Sequence, residues 1–397
     1  MRIGLLTQSY KPETGAAPNR LYEMMSGLKR CGNDVCIVAA MPNYPTGRIF
    51  PEYRGKFSMW ETLDGIEIKR YWMYASNSRK ALPRALAMFS FTFMAFFSIP
   101  YLRSKKLDFL IVGSPPLTLG WAGKWISRLA KTHFVANISD IWPLSAKELG
   151  AISEGRLYRL LEKMEKSVYR NADILLGQSQ EIVDHISSHG GRKVYLFRNG
   201  VDPSRFDLTR KVKRNPAQPI KIIYAGLLGY AQGIADICRE VNFRSLGAEF
   251  HIYGTGGEKD EIERYLHENP DKGIFYHGSV SRDEIPDILL AADMTLVPLV
   301  RNIYGAVPSK IYESMAAGLP ILFSGEGEGA RIVEENNIGF VSSPKDYSTL
   351  IDNIRIASEN PDILEAQTKN CIECAKSKFN RPKQVVELHK FLLDNYS

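Results

Sequence analysis

GAVPSKIYESMAAGLP, residues 305–320, is the stretch on which the reading of this chain turns. An apolar, strand-like run precedes it at 294–299, and Ile321-Leu322-Phe323 follows it. Pro308 and Ser309 are the usual chemistry of a first helical turn, since proline needs no amide donor there and a hydroxyl can cap an open N–H. Gly318, with Pro320 just beyond, is the matching stop signal. The spacing predicts a helix over 309–317 whose N-terminus stands at the carboxyl end of a buried strand. In open α/β sheets that is where anionic ligands bind, because unpaired amides and the helix dipole favour negative charge. Lys310 adds a full cation, and Glu313, one turn on, is placed to accept bonds from sugar hydroxyls. The plain alternative is a capped helix carrying a solvated Lys/Glu pair.

Working outward, the same strand–glycine–helix grammar recurs. A strand over 221–225 ends at Gly226-Leu227-Leu228-Gly229-Tyr230-Ala231-Gln232-Gly233, and one over 249–253 ends at Gly254-Thr255-Gly256-Gly257. A third, over 274–277, precedes Gly278 and a helix over 283–291. Gly226, Gly254 and Gly256 thus predict a glycine floor open to a nucleotide. Residues 346–396 read as amphipathic helix.

Upstream, strand and helix alternate from residue 2, which predicts a parallel sheet covered on both faces. The strand over 3–7 leads to Gly15-Ala16-Ala17, where the backbone can approach a ligand at a helix N-terminus, although neither a Walker A pattern nor GxGxxG is present. Met59 to Trp72 reads as a hairpin about Asp64-Gly65. The strand over 134–138 ends in Ser139-Asp140-Ile141-Trp142-Pro143, which sets Asp140 where substrate binds, or else caps the next turn. Arg198-Asn199-Gly200-Val201-Asp202 closes the last strand of this half. The polar, proline-bearing segment after it gives the organisation 1–200, a linker over 201–218, a second domain over 219–380 and a final helix over 381–397.

Residues 85–102, ALAMFSFTFMAFFSIPYL, carry no charge; Arg84 precedes them, and Arg103, Lys105 and Lys106 follow. A buried helix of the sheet and an in-plane membrane helix both suit this composition. A true span is disfavoured because strands of one domain continue on either side. Five phenylalanines and Tyr101 exceed what a sheet-facing stripe needs and predict contact with lipid or a lipid-linked ligand, with Phe89, Phe93 and Phe96 as the candidates.

A chain of 397 residues, 44% hydrophobic and 24% charged, suits two soluble α/β domains. Five cysteines argue for a reducing compartment, and Cys371-x-x-Cys374, lacking a second pair, reads as two helical thiols. No basic-then-apolar leader opens the chain, so export is not expected. Residues 1–200 hold 28 Lys+Arg against 16 Asp+Glu, a net +12 within an overall +7. That imbalance predicts an anionic surface as partner, lipid rather than nucleic acid, since no nucleic-acid module is present.

Together and in order, the Gly15 loop, Asn199-Gly200-Val201-Asp202, Gly226–Gly233, Gly254-Thr255-Gly256 and Glu313-Ser314-Met315-Ala316-Ala317-Gly318 resemble the retaining GT-B glycosyltransferases of family 4. The resemblance spans nearly the whole chain. It implies an α/β fold of two facing Rossmann-like domains with a last helix crossing back to the first. It also implies a nucleotide-sugar held mainly by the second domain and an acceptor held mainly by the first; the donor candidates are Gly15, Arg198, Asn199, Gly226, Gly254, Gly256, Ser309, Lys310 and Glu313. Two positions depart from the pattern: the first of the family's paired glutamates falls on Gly305, and the usual Arg and Lys of the glycine loop are Leu227 and Gln232. With Pro308-Ser309-Lys310 and Asp140-Ile141-Trp142-Pro143, the chain looks like the branch that builds O-antigens and capsules, N-acetylfucosaminyltransferases included. Such enzymes move a sugar from a UDP-sugar onto an undecaprenyl-diphosphate-linked acceptor at the cytoplasmic face of the bacterial inner membrane.

Asp140 and Lys310 are the catalytic candidates. Phe89, Phe93, Phe96, Arg84, Arg103, Lys105 and Lys106 are the candidates for acceptor and membrane. No Asp-x-Asp occurs, so neither metal nor other cofactor is expected. A UDP-sugar 2-epimerase of the same fold and an inactive membrane-bound scaffold are the competing readings.

Overall fold

The computed structural model describes every residue except Arg79, Pro216 and Ser397. Pro216 of the expected linker and Ser397 of the expected final helix therefore lie outside the described residues. The chain divides into two compact units: 1–198 with 381–397, and 199–380.

The first unit is built on eight strands: β1 (Arg2–Thr7), β2 (Asp34–Ala40), β3 (Ser58–Leu63), β4 (Ile66–Tyr71), β5 (Phe109–Ser114), β6 (His133–Ile138), β7 (Ile174–Gly177) and β8 (Val194–Leu196). Their order is β3-β4-β2-β1-β5-β6-β7-β8, and every pair is parallel except the β3–β4 hairpin. All six residues of β5 are buried, whereas β3 at the edge alternates half-buried and exposed. That contrast follows position: a central strand is covered on both faces, an edge strand on one. The chain order turns at β1, with β2 on one side and β5 on the other. The carboxyl ends of β1 and β5 are thus a topological switch point, where α/β sheets bind ligands.

The last helix, Arg381–Asp394, belongs to this unit. Val385, Leu388 and Leu392 enter its core beside Leu21 and Met25 of the helix Ala16–Arg30. Gly27 leaves the room, since a Cβ there would stand 2.7 Å from Val385 Cγ1.

The second unit has six strands, all parallel: β9 (Ile220–Ala225), β10 (Ala248–Tyr253), β11 (Ile274–Tyr276), β12 (Met294–Pro298), β13 (Ile321–Ser324) and β14 (Gly339–Ser342). Their order β11-β10-β9-β12-β13-β14 puts its switch point between β9 and β12. Cys371 and Cys374 are buried free thiols on the helix Pro361–Lys376.

The segment 201–218, expected as a linker, is part of this second unit. Val201 and Phe206 are buried in its core, and Lys211 Nζ donates to the carbonyl of Ala317 at 3.2 Å. Its polar, proline-bearing composition reflects two 3₁₀ turns, Pro203–Arg205 and Leu208–Arg210, begun by Asp202 and Asp207 accepting from backbone N–H groups.

Candidate active site

In the first unit a cavity of about 420 Å³ opens at the carboxyl ends of β1, β5 and β6, with Thr7, Ser9, Arg20, Arg84, Asp140 and Trp142 among its lining. Burial pushes the Asp140 carboxyl up to about 6, and the nearby Arg20 guanidinium opposes the rise. Arg20 is buried on the helix Ala16–Arg30 and donates to Gln178 Oε1 and Ser139 Oγ. Burial first, then the charge of Arg381, holds it down at about 10, against the pull of Asp140. Arg20 is a residue the sequence reading did not single out. Its partners are 119 and 158 positions away, and one arginine on a helix face carries no signal of its own.

Loops around this cavity are tied by Glu13. Its buried carboxylate accepts the backbone N–H groups of Asn43 (2.7 Å) and Tyr44 (2.9 Å) and the hydroxyl of Ser9. Gly15 precedes the helix at φ 144°, where a side chain would be strained, and its missing Cβ would have only Pro18 and Tyr44 near, both at 3.8 Å.

One wall of the cavity is Arg84, Ala87 and Met88 from the helix Ala81–Ala95. This helix continues through Phe96–Ser98 into Ile99–Ser104, and by length and composition the run could cross a membrane, with less than half of it buried. Phe89 and Phe93 are 58% and 66% exposed. Phe96 is not part of that stripe. It is half-buried, and Phe97, one step further round the helix, takes the outer position. Lys105 is also committed elsewhere, its ammonium lying 2.7 Å from Glu67 on β4, while Arg84, Arg103 and Lys106 are exposed.

In the second unit, Lys310 begins the helix Lys310–Ala316, at the switch point between β9 and β12. Its ammonium lies 5.3 Å from the centroid of the Tyr224 ring, on β9. Burial lowers its pKa from the usual lysine value, and Glu313 opposes that shift. Gly226 is what lets the lysine lie there: a Cβ on it would stand 2.5 Å from Lys310 Cε. Gly226→Ala is therefore expected to displace the ammonium, a flexible side-chain end, and to cost some stability because φ 155° disfavours a side chain there. A kcat loss of about tenfold or more, each tenfold being ~1.4 kcal/mol of barrier, is the expected result. Steady-state kinetics beside a melting curve checks it, and unchanged turnover counts against the placement.

Ser309 has helical backbone angles and makes no capping bond, so the hydroxyl cap expected there is absent. The expected helix over 309–317 is correspondingly shorter. Glu313 Oε1 lies 3.7 Å from the guanidinium of Arg205, on the Pro203–Arg205 turn that the sequence reading took for linker. Gly254 and Gly256 also let neighbouring loops approach each other. A Cβ on Gly254 would meet the Gly226 carbonyl at 1.8 Å, and one on Gly256 the Leu228 carbonyl at 2.2 Å. Their missing side chains let one loop lie against the next. Gly305, where the resemblance expects a glutamate, has φ 85°, a conformation that disfavours any side chain. Asn199 Oδ1 accepts the N–H of Gly200 at 3.1 Å, beginning the second unit directly after Arg198.

Residues 15–200 match the family described as glycosyl transferase 4-like domain, and residues 206–378 match glycosyl transferases group 1. The chain is a GT-B glycosyltransferase. The enzyme is 25% identical over 336 residues to WcaI of Escherichia coli strain K12, named for colanic acid biosynthesis, covering 80% of this chain and 82% of that one. It is 27% identical over 296 residues to the glycosyltransferase WbjE of Pseudomonas aeruginosa, covering 70% and 74%. Among solved structures, Anabaena HepE in complex with UDP superposes with a TM-score of 0.73 at 16% identity, over 99% of this chain and all of that one. The last likeness bears on the fold alone.

Proposed function

We propose that this glycosyltransferase moves a sugar, with retention at the anomeric carbon, from a UDP-sugar to an undecaprenyl-diphosphate-linked acceptor in bacterial surface-polysaccharide synthesis. It acts as a peripheral enzyme at the cytoplasmic face of the inner membrane. The observation that carries this reading is a two-sided helix: Arg84, Ala87 and Met88 line the cavity of Asp140, and Leu82, Leu86, Phe89 and Phe93 are exposed. A cavity walled by such a helix suits an acceptor with a polar reacting end and an apolar anchor. The donor assignment is supported by HepE, which was solved with UDP, and the polysaccharide role by the naming of WcaI. An N-acetylated amino sugar such as N-acetylfucosamine fits the O-antigen-like motifs.

In this reaction the acceptor oxygen bonds to the anomeric carbon as that carbon's bond to the β-phosphate oxygen breaks. The hydroxyl proton passes to the departing phosphate, and UDP leaves from the face that the acceptor enters. Asp140 orients the hydroxyl, Lys310 meets the charge developing on the diphosphate, and Glu313, steadied by Arg205, holds the ribose.

Incubation of the enzyme with a panel of UDP-sugars and a lipid-linked acceptor tests the reading. Mass spectrometry should find the acceptor one sugar heavier for one donor, and NMR should find the donor's anomeric configuration in the product. No mass gain with any donor, or an inverted linkage, overturns it. No Asp-x-Asp occurs in the chain, and in this reading Lys310 supplies the positive charge that a metal would. Transfer is accordingly expected to survive excess EDTA. Complete loss, restored by Mg²⁺ or Mn²⁺, would show the charge stabilisation to lie elsewhere.

A further inference from the structure

Residues 68–139 hold 11 Lys+Arg and a single acidic residue, Asp108, and of those cations Arg70 is buried against Glu61 and Lys105 pairs with Glu67. That stretch contains two helices, Ala81–Ala95 with its continuation to Ser104, and Leu117–Ala130. They pack side by side, and Thr92 and Thr118 share a buried hydrogen bond of 2.8 Å between them. Helix Leu117–Ala130 buries Leu119, Ala122 and Ile126 toward the sheet, as an amphipathic helix should. Its outer face is not the expected polar one. Trp121, Trp125 and Leu129 are spaced four apart and stand 39%, 40% and 51% exposed. The neighbouring helix shows Phe89, Phe93 and Phe97 at the same spacing.

Cations frame these aromatic side chains. Lys124 Nζ lies 5.1 Å and the Arg128 guanidinium 5.8 Å from the Trp125 ring centroid. Lys131 follows as the exposed residue after the helix. No Asp or Glu occurs from 109 to 139. Exposed tryptophans with lysine and arginine at their side, and no carboxylate near in sequence, match the headgroup layer of an anionic bilayer: the rings sit at the polar–apolar boundary and the cations meet phosphates.

We propose that Trp121, Lys124, Trp125, Arg128 and Leu129 form the second half of a two-helix bilayer-docking face, so that the enzyme rests on anionic lipid through both helices and not through the phenylalanine helix alone. The proposal rests on the peripheral-membrane reading above and adds a surface to it. Such a face would hold the wall of the Asp140 cavity, through Arg84 and Met88, against the bilayer from which a lipid-linked acceptor comes.

The test uses the full chain and vesicles of phosphatidylcholine with and without phosphatidylglycerol, scored by co-sedimentation. Wild type should bind the anionic vesicles better and lose part of that preference at high salt. Lys124→Gln/Arg128→Gln should weaken binding to anionic vesicles by roughly tenfold to thirtyfold, since each basic group near the surface contributes about a factor of five. Trp121→Ser/Trp125→Ser should weaken binding at high salt as well, because the apolar share is not screened. Both variants should melt as wild type does and still glycosylate a soluble, short-chain acceptor. Wild type that binds no vesicles overturns the peripheral reading and this face together. Undiminished binding by both variants, with Arg103→Gln/Lys106→Gln weakened, overturns this face alone. Self-association in solution that the same substitutions abolish would assign it to a second copy of the chain, and also overturns it.

Discussion

Lys310→Ala is expected to lower kcat by roughly 30- to 1000-fold, the ~2–4 kcal/mol scale of removing one preorganised group from a developing charge. The effect should fall on kcat more than on the donor KM, because the diphosphate gains its full leaving-group charge only in the transition state. Stability should change little. The lysine tail lies against Gly226 and the buried Tyr224 ring, and Gly226 already has no side chain to lose contact with. In wild type the ammonium should be lost at lower pH than for an ordinary lysine, since burial lowers its pKa. Activity is thus expected to fall early on the alkaline side. Turnover within about threefold of wild type would remove Lys310 from the diphosphate.

Asp140→Asn is the second large effect. A carboxylate that orients or assists the acceptor hydroxyl contributes on the order of 100-fold or more, so a loss of that size in kcat/KM is expected. Because burial holds the Asp140 carboxyl at about 6, wild-type kcat/KM should rise as pH passes through that value and the carboxylate forms. The variant should lack this limb. Stability runs the other way. A carboxyl whose folded pKa is raised from 3.8 to about 6 favours the folded state while protonated, and that contribution is lost as pH rises through this window. Asparagine has no charge to bury, so the variant should melt higher than wild type above about pH 6 and no higher below pH 3.8. An unchanged pH–rate profile in the variant would place the ionisation on another group.

The elements that sequence exposes well are those set by local chemistry. The β3–β4 hairpin turns at Asp64-Gly65 as expected, with Asp64 at φ 49° and Gly65 at φ 69°, and the strands expected over 3–7 and 134–138 form as β1 and β6. Lys310 and Asp140 could be placed at strand ends because a strand followed by a helix fixes which end the loop occupies. Side-chain pairing across the fold is another matter. Arg20 meets Ser139 and Gln178 only once β1, β6 and β7 are assembled, and Arg205 meets Glu313 only because a polar segment folds back as part of the second unit. Composition alone made that segment look like a linker.

Glycines are legible in the sequence only as places of close approach. A residue without a Cβ permits close approach, and sequence does not reveal whether ligand or backbone approaches. Beside the missing side chain of Gly254 and of Gly256 stands backbone, beside Gly226 a lysine, and beside Gly15 the side chains of Pro18 and Tyr44 at 3.8 Å. The apolar helix shows the same limit on a finer scale. Composition identified it, yet a one-residue error in phase chose Phe96 over Phe97, because each step along a helix turns the side chain by about 100°. Trp121 and Trp125 went unremarked because their helix has the ordinary pattern on its buried face.

Acceptor dependence of UDP release is the most direct measure of the account, which joins a transferase site to a lipid-linked acceptor. The enzyme is given its UDP-sugar with the undecaprenyl-diphosphate-linked acceptor, with a free sugar lacking the lipid, or with neither, and UDP is followed over time. Rapid release with the lipid-linked acceptor, slow release with the free sugar and almost none without acceptor is the predicted order. Equal release in all three, or isomerised donor without acceptor, would contradict it.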